Sequence, residues 1–313
     1  MRFDSRGLVS TYISQWMPTG DETPQSVAGY FAGGESSGFT TRIDRIAFPA
    51  DTKTTSTATL SVGRDRLAGF SNPSVAGYVG GGYNGANNSV IDKIAFPVET
   101  RTTLSGTLSS ARYGIGGMSN SGVAGYFAGG YDGANISGID KIAFPADAKT
   151  TLSATLSSAR NALTGMSNYA VAGYYGGGSD VGTVLGIDKI AFPAETRTTL
   201  SATLTNGGEY TAAFANSGVA GYFAGGNGAI ITNGIDKISF PADTKTTLSA
   251  VLSNSTYQHA GMANIGVAGY VAGGYGISGI DKIAFPSDTK TTLAATLTAS
   301  TYYLSAMADS VQS

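Results

Sequence analysis

One pattern recurs through most of this chain. The tetrapeptide Val-Ala-Gly-Tyr recurs at a constant interval of 48 residues, beginning at Val27, Val75, Val123, Val171, Val219 and Val267. A second pattern, Ile-Asp-Lys/Arg-Ile, has a last interval of 45 residues and begins at Ile43, Ile91, Ile139, Ile187, Ile235 and Ile280. Repeats of this length are typical of solenoids, propellers and arrays, in which each unit buries its apolar face against its neighbours. The chain therefore holds six near-copies of one structural unit.

Each copy contains four short runs that suit β-strands. In the third copy these runs are 123–130, 139–144, 150–156 and 161–168, and the turn after the second run begins with Pro145. One strand in about 12 residues is the spacing of all-β sandwiches, barrels and propellers. Gly supplies 45 of the 313 residues, which opposes a mainly helical fold because Gly is unfavourable inside helices.

A four-stranded unit present six times predicts an all-β fold, a six-bladed β-propeller with four antiparallel strands, A to D, in each blade. Strand B is the Val-Ala-Gly-Tyr run, C is the Ile-Asp-Lys-Ile run, and D is the Thr-rich run that follows. Strand A precedes Val-Ala-Gly-Tyr, but no such run precedes Val27, and the sixth copy of it lies at 302–308. We therefore expect 302–308 to complete the first blade, whose other strands come from 27–60. The propeller would span 26–313, after a leader of residues 1–25.

Two further features are shared with a known repeat family. Arg64, Arg112 and Arg160 stand in the loops before three of the A strands, and a Gly-Gly doublet ends each strand B. The doublets are Gly33-Gly34, Gly81-Gly82, Gly129-Gly130, Gly177-Gly178, Gly225-Gly226 and Gly273-Gly274. This pattern resembles the kelch repeat, although Thr or Leu replaces the usual kelch Trp and the last three copies lack the Arg. The tryptophan-aspartate repeat fits less well, because the only Trp, Trp16, lies outside the repeats.

The style of the copies adds a second resemblance. They are nearly identical and rich in Gly, Thr, Ser, Ala and Asn, and in this they are similar to kelch-like proteins encoded by bacteriophages, notably marine and cyanobacterial ones. That resemblance implies a component of the virion, such as a tail fibre, knob or decoration protein.

The composition excludes several kinds of chemistry. The chain has no Cys and one His, His259, which rules out disulfides, Cys nucleophiles and metal sites built from Cys or several His. The copper site of kelch enzymes that resemble galactose oxidase needs two His and a Cys, so it cannot be built here. A net charge of −2 argues against nucleic acid as a partner, and no apolar block suggests membrane insertion. We expect no catalytic residue, no metal and no cofactor.

Positions that are the same in all six copies indicate scaffold. The Asp of Ile-Asp-Lys/Arg-Ile occurs once in each blade, whereas a catalytic centre is asymmetric, so we expect this Asp to make structural pairs. The Tyr of Val-Ala-Gly-Tyr is expected to pack between blades for the same reason. The larger apolar residues of strand A are expected in the core between blades as well, namely Met118, Met166, Met262, Phe70 and Phe214.

The B–C and D–A loops vary among the copies, whereas the A–B and C–D turns hardly change. Antiparallel strands place the two variable sets on one face, and loops on a rigid scaffold often bind ligands; unconstrained drift of surface loops is the alternative. Tyr with Asn and Gly gives amphipathic contacts suited to a glycan or a protein surface. The candidate ligand-binding residues are Arg64, Arg112, Tyr113, Arg160, Tyr210, Tyr257, Tyr302, Tyr83, Tyr131 and Tyr275. The same loops carry Arg66, Asp132 and Asp180.

The leader contains an apolar segment at 8–17, and Trp16 within it is the candidate anchoring residue. It either packs on the ring or anchors the propeller to another subunit. We expect a non-enzymatic phage virion protein, at the particle surface or tail, that binds other virion proteins through 1–25 and a host-surface glycan or protein through the variable face. A homo-oligomer in the particle is compatible with this. The alternatives are a bacterial extracellular or cell-surface lectin or adhesin of kelch type and a kelch-fold enzyme with an unrecognised site.

Overall fold

The computed structural model of the protein describes residues 28–205 and 208–310. Within them the chain forms six four-stranded antiparallel sheets and no helix. The sheets are the six blades of a β-propeller, as the repeats predicted. The leader of residues 1–25, with Trp16, lies outside the described residues. In the described part no helix is long and apolar enough to cross a membrane.

The strands run in the order A, B, C, D within each blade. Blade 1 consists of β24 (Ser305–Asp309), β1 (Ala28–Ala32), β2 (Ile43–Ala47) and β3 (Thr52–Thr55). Blade 2 consists of β4 (Ala68–Asn72), β5 (Ala76–Gly80), β6 (Ile91–Ala95) and β7 (Thr100–Thr103). Blade 3 consists of β8 (Gly116–Asn120), β9 (Ala124–Ala128), β10 (Ile139–Ala143) and β11 (Ala148–Thr151).

The second half of the ring has the same order. Blade 4 consists of β12 (Thr164–Asn168), β13 (Ala172–Gly176), β14 (Gly186–Ala191) and β15 (Thr196–Thr203). Blade 5 consists of β16 (Ala212–Asn216), β17 (Ala220–Ala224), β18 (Ile235–Ser239) and β19 (Thr244–Thr247). Blade 6 consists of β20 (His259–Asn264), β21 (Ala268–Gly273), β22 (Ile280–Ala284) and β23 (Thr289–Thr292).

The C-terminal strand closes the ring. Strand β24 pairs with β1, with Ala28 opposite Asp309 and Ala32 opposite Ser305. This confirms that the last run of the sequence completes the first blade. The A–B and C–D turns lie on one side of the ring, the turn face, and the B–C and D–A loops lie on the other, the loop face. Blade 1 has no A–B turn, because its strand A comes from the C-terminus, and β1 begins at the turn-face end of the blade, where Ala28 lies opposite Asp309.

Burial falls from the middle of each blade to its outer edge. All five residues of β9 are buried, because neighbouring blades cover both faces of the sheet. Its Gly125 leaves room for the Phe70 ring of the preceding blade, which a Cβ there would strike. Phe70 is 4% exposed and Met118 is 2% exposed, in agreement with the predicted core between blades. Every residue of the Thr-rich outer strand β7 is exposed.

A clasp near the turn face joins neighbouring blades. At the interface of blades 2 and 3, the Tyr78 ring stacks on the Phe144 ring at 5.2 Å between centroids. Tyr78 Oη donates to Asp147 at 2.7 Å, and Lys93 Nζ donates to the same carboxylate at 2.7 Å. Burial, followed by the nearby Asp147, raises the pKa of Tyr78 above its ordinary value, so the phenol remains a donor.

The same clasp recurs at all six interfaces with Asp or Glu as the acceptor. The tyrosines are Tyr30, Tyr78, Tyr126, Tyr174, Tyr222 and Tyr270, each nearly fully buried. Their partners are Glu99, Asp147, Glu195, Asp243, Asp288 and Asp51. The last pair joins blade 6 to blade 1, so the series runs around the whole ring. The prediction that this tyrosine series serves packing is confirmed.

A second clasp lies nearer the loop face and uses the repeated Asp. Asp140 Oδ2 accepts from the backbone N–H of Ser109, in the loop that leaves the preceding blade, at 2.8 Å. Its Oδ1 accepts from Thr151 Oγ1 of its own blade, also at 2.8 Å. Burial alone would raise the pKa of Asp140, but these donors and a nearby guanidinium lower it. Corresponding pairs at all six Asp positions confirm the expected structural role.

Candidate binding surface on the loop face

The loop face is organised around a circle of six residues, one just before each strand A. They are Arg66, Gly114, Ala162, Tyr210, Gln258 and Tyr303. All six have left-handed backbone angles, with φ between 51° and 67°. The backbone N–H of each donates to the carbonyl of the preceding member, and the six N···O distances run from 2.7 to 3.1 Å. The closed circle fixes the direction in which each side chain leaves the axis.

The side chains of this circle break the symmetry of the ring. The circle surrounds the opening of the central channel. Gly114 and Ala162 place no large side chain on one side of this opening, whereas Arg66, Tyr210 and Tyr303 place large side chains on the other. The Arg66 guanidinium carbon lies 4.3 Å from the centre of the Tyr303 ring, and the Tyr210 and Tyr303 rings meet edge to face at 4.8 Å. A guanidinium over an aromatic face is an attractive arrangement. A cavity of about 90 Å³ remains at the axis beside these residues.

Arg66 joins two rows of aromatic rings into one surface, which we term the aromatic cluster. The first row is Phe39, Tyr83, Tyr113 and Tyr131, with neighbouring centroids 5.5 to 6.0 Å apart. The second row is Tyr210, Tyr303, Tyr302 and Tyr275, with neighbouring centroids 4.8 to 5.5 Å apart. Arg66 also lies 5.5 Å from the centre of the Tyr113 ring, so it contacts both rows. Tyr275 is 70% exposed and Phe39 is 40% exposed, so the cluster is open to solvent.

Backbone pairing between loops places most of these rings. In five of the six copies the residue after the Gly-Gly doublet pairs with a residue of the D–A loop that leads into strand A of the same blade, as in the pairs Asp65–Tyr83, Tyr113–Tyr131 and Glu35–Tyr302. Tyr257 is the D–A residue at the corresponding position before blade 6. The sixth copy has three fewer residues in its B–C loop, and within the described residues no such bridge reaches Tyr257. Tyr257 is half-buried and stands outside the two rows.

Six of the ten predicted binding residues thus lie in the aromatic cluster. They are Tyr83, Tyr113, Tyr131, Tyr210, Tyr275 and Tyr302. Phe39 and Tyr303 were not among the predicted binding residues, and Arg66 was expected only as one of the residues that these loops carry. The double Tyr at 302–303 was available as a signal, since 303 aligns with Arg66 and Tyr210 in the repeat.

The three predicted arginines require a correction. Arg64, Arg112 and Arg160 are 0–1% exposed, so their guanidinium groups do not face a ligand. Each extends between two blades and pairs with the repeated Asp, as in the 2.9 Å contact from Arg112 Nη2 to Asp140 Oδ2. They were assigned to the variable surface because they stand in loops, but the side chains turn inward. A carboxylate buried at the interface favours a cation beside it.

Carboxyl groups flank the aromatic cluster. Asp65 is fully buried beside Arg66, and its Oδ2 lies 3.6 Å from Arg66 Nη1. Burial raises the pKa of Asp65 to about 6; the Arg66 charge opposes this and Glu35 adds to it. Other acids on the loops, Asp132, Asp180 and Glu209, leave the face with more carboxylates than free cations. The surface therefore suits a neutral polar ligand better than an anionic one.

His259, the one histidine of the sequence, is buried in the interior and lines the axial cavity. It occupies the place that Leu or Ile fills in four other blades, and its Nε2 lies 2.8 Å from the carbonyl of Ala224. Burial lowers the pKa of His259 to about 4, so the ring is neutral at pH 7. Among the described residues there is no group of three or more His, Asp or Glu that could hold a metal ion.

Comparison with known proteins does not assign this chain to a family. No protein-family model matches the sequence, and no curated protein matches it significantly.

Proposed function

We propose that the protein is a non-enzymatic binding propeller that attaches to its target through the aromatic cluster. The observation that carries this proposal is the pair of aromatic rows joined by Arg66, partly exposed on the face where the copies differ. An exposed aromatic surface of this kind marks a place for a partner. Tyr rings supply rigid contact area with little loss of side-chain entropy, and the nearby Asn, Asp and Glu side chains supply hydrogen bonds.

The chemistry favours a glycan or a similarly polar surface as the target. Sugar rings present C–H faces that pack on aromatic rings and hydroxyls that bond carboxylates and amides. Asn135 lies beside Tyr131, and its amide nitrogen is 3.0 Å from the carbonyl of Asp180, which shows that amides already bridge loops on this face. The acidic balance of the face disfavours sulfated or phosphorylated ligands.

We further propose that the propeller is a phage virion component of kelch type, at the particle surface or tail. This rests on the resemblance of its near-identical Gly- and Thr-rich copies to phage-encoded kelch-like proteins. The topology is compatible with it, because β1 begins at the turn face, opposite the aromatic cluster. Attachment of residues 1–25 to another virion protein would then leave the loop face directed outward. A bacterial extracellular lectin or adhesin of kelch type is the alternative and would use the same face.

Binding of purified protein to a glycan array, or to host-cell surface material, tests the role of the aromatic cluster. Replacing Tyr113 or Tyr302 by Ala should weaken binding about tenfold or more, the effect typical of a buried aromatic at an interface centre. Val123→Ala is the matched control, since Val123 is 50% exposed on the turn face. Equal binding by the two tyrosine variants and the control would overturn the assignment. Mass spectrometry of purified phage particles tests the virion proposal separately. If the protein is found only free and never in particles, the virion proposal is wrong.

A further inference from the structure

The repeated Asp has different cationic partners around the ring. At the interfaces of blades 1–2, 2–3 and 3–4 a guanidinium from the preceding loop fills the space beside it, from Arg64, Arg112 and Arg160 respectively. At the interface of blades 6 and 1 the loop residue is Thr301. There Arg42 enters from the neighbouring loop, with Nε 3.5 Å from Asp44 and Nη2 2.9 Å from Thr301 Oγ1.

Two interfaces have no arginine at this position. The loop residue is Gly208 between blades 4 and 5 and Thr256 between blades 5 and 6. The residues that take the place of Arg42 there are Gly234 and Gly279. The space next to the carboxylate is accordingly a cavity at each, of about 30 Å³ beside Asp236 and about 40 Å³ beside Asp281. We call these two cavities the guanidinium slots.

The slots keep the acceptors that bind the guanidinium elsewhere. Arg64 and Arg160 also donate to the carbonyls of Val79 and Tyr175, at 3.3 and 3.5 Å. The residues at the same place in strand B are Phe223 and Val271, and each lines one slot. The hydroxyl-bearing residues Thr205 and Ser253, which replace the Ser109 of the Arg112 site, line them as well, but each already accepts from a lysine, Lys245 and Lys290 respectively.

The carboxylates in the slots have accepting capacity left. Asp140 Oδ2 accepts three bonds, from the N–H and Oγ of Ser109 and from Arg112. Asp281 Oδ2 accepts from the backbone N–H of Ser253, while Ser253 Oγ bonds to Oδ1 instead. Among the described residues no other hydrogen-bond donor contacts Asp281 Oδ2. Asp281 is 8% exposed and Asp236 is 5% exposed, so the spare lone pairs are directed into sheltered space.

A lysine near the outer edge does not preclude a second cation. Lys290 Nζ lies 3.4 Å from Asp281 Oδ1. At the Arg112 site, Asp140 accommodates Lys149 at 3.2 Å on Oδ1 as well as the guanidinium on Oδ2. The same ring therefore already places two cations on one such carboxylate.

From these contacts we infer that the guanidinium slots beside Asp236 and Asp281 bind a guanidinium-type cation, either a small free ion or the end of an arginine side chain. A space of 30–40 Å³ holds about three water molecules, and guanidinium is a planar ion only one non-hydrogen atom larger than that. The forked donors fit a carboxylate Oδ2 together with a backbone carbonyl of strand B, the two acceptors that Arg64 and Arg160 both contact. This inference does not depend on the proposed attachment function.

The test is thermal unfolding of the full chain in about 20 mM guanidinium chloride, far below the concentrations at which guanidinium denatures proteins. Relative to sodium chloride at equal ionic strength, we expect Tm to rise by about 1–3 °C. Combining Gly234→Arg, at the place of Arg42, with Thr256→Arg fills both slots from within the chain and should abolish the rise; a Cβ at Gly208 would instead strike the backbone of Val184. Thr256→Leu fills one slot without charge and should reduce the rise. An equal Tm in both salts, or a rise retained by the double variant, would overturn the inference.

Two further measurements keep the inference testable if the double variant does not fold. A crystal structure of the unmodified protein with guanidinium should show a planar ion in both slots, and ordered water alone at saturating guanidinium would refute the inference. N-acetylarginine amide distinguishes the sources of the cation. If it raises Tm as guanidinium does, an arginine side chain can enter from outside; if only guanidinium acts, the slots take the free ion. A rise produced equally by sodium, potassium and guanidinium would show a general cation effect and contradict the proposed recognition.

Discussion

Arg112 and Asp140 illustrate what single residues contribute to this ring. Both are almost completely buried between blades 2 and 3, and the carboxylate takes bonds from the guanidinium, from Ser109 and from Thr151. A buried pair of this kind adds little net free energy when complete. Removing one partner is strongly unfavourable, since it leaves an uncompensated charge in a low-dielectric place.

We expect Arg112→Ala to lower the free energy of unfolding by about 3–5 kcal/mol, the usual loss when one member of a buried ion pair is removed. Arg101→Ala serves as the control. Its guanidinium is 36% exposed and lies 3.7 Å from Asp92, and exposed pairs contribute about 0–1 kcal/mol. Denaturant titration of both variants measures the difference. Similar losses of unfolding free energy in the two variants would contradict the larger contribution expected of the buried pair.

A second residue-scale prediction concerns Asp65 and pH. Burial raises its pKa to about 6 in the folded protein, above the value of about 3.9 for an unfolded chain. The folded state therefore holds this proton more tightly. The stabilisation of the folded state by this tighter proton binding is fully present below pH 3.9 and is lost as pH rises through 6. Asp65→Asn removes the charge, so we expect it to raise Tm relative to the unmodified protein at pH 8 and to have a smaller effect at pH 4.5. Paired melting curves at the two pH values check this, and a Tm difference that does not grow with pH would contradict it.

At the scale of strands, position in the blade decides how much each element contributes. Strand B is covered by both neighbouring blades, whereas strand D forms the exposed outer edge. Strand β24 is unusual because it comes from the far end of the chain, yet it pairs with β1 over five residues and packs between blades 6 and 2. It is the one strand that completes a blade across more than 270 residues of sequence.

Deleting residues 300–313 should therefore destabilise the whole ring rather than one blade. The deletion exposes β1 on its inner side and removes Met307, a buried core residue, along with Tyr302 and Tyr303 of the aromatic cluster. Loss of a cooperative melting transition, or a fall in Tm of more than about 10 °C, is expected, because several kcal/mol of buried contacts are lost. Deleting only residues 311–313 is the control, because every residue of β24 and its pairing with β1 remains, and its fall in Tm should be much smaller than that of the longer deletion. An unchanged Tm after the longer deletion would contradict ring closure by β24.

At the scale of the whole molecule, closure makes the six copies interdependent. An open array of repeats has two end units with one neighbour each, whereas here the clasp of Tyr270 and Lys282 on Asp51 joins blade 6 to blade 1. Every blade then has two neighbours and no unpaired side. The ring is also polarised, with uniform turns on one face and varied loops on the other, so one scaffold can carry a binding surface without altering its own contacts.

This interdependence predicts how the molecule unfolds. Weakening a single clasp by Tyr78→Phe together with Lys93→Ala should lower the melting temperature of the entire protein by a few degrees, since the lost hydrogen bonds are each worth about 1 kcal/mol. Calorimetry should still show one transition. A second, separate transition in the variant would mean that the blades unfold independently.

The repeats alone determine most of the architecture. The period, the four runs in each copy and the missing first strand A suffice to predict six blades and closure by the C-terminal run, because they reflect local strand propensity and chain connectivity. The start of β24 at Ser305 rather than 302 was not foreseen, since Tyr302 pairs with Glu35 and Tyr303 belongs to the circle of six residues before the A strands. Loop sequences also indicated six of the residues now found in the aromatic cluster.

Only the tertiary structure decides which loop side chains face solvent and which meet one another. Arg64 and Arg66 are two residues apart, yet one is buried against Asp92 and the other covers Tyr303. Their directions follow from the left-handed backbone at Arg66 and from a buried carboxylate in the next blade, and neither is visible in local sequence. Arg66 and Tyr303 meet because the ring closes, so a contact across 237 positions of the chain depends on the whole fold. The sequence by itself determined the ring, and packing around its axis decided the surface.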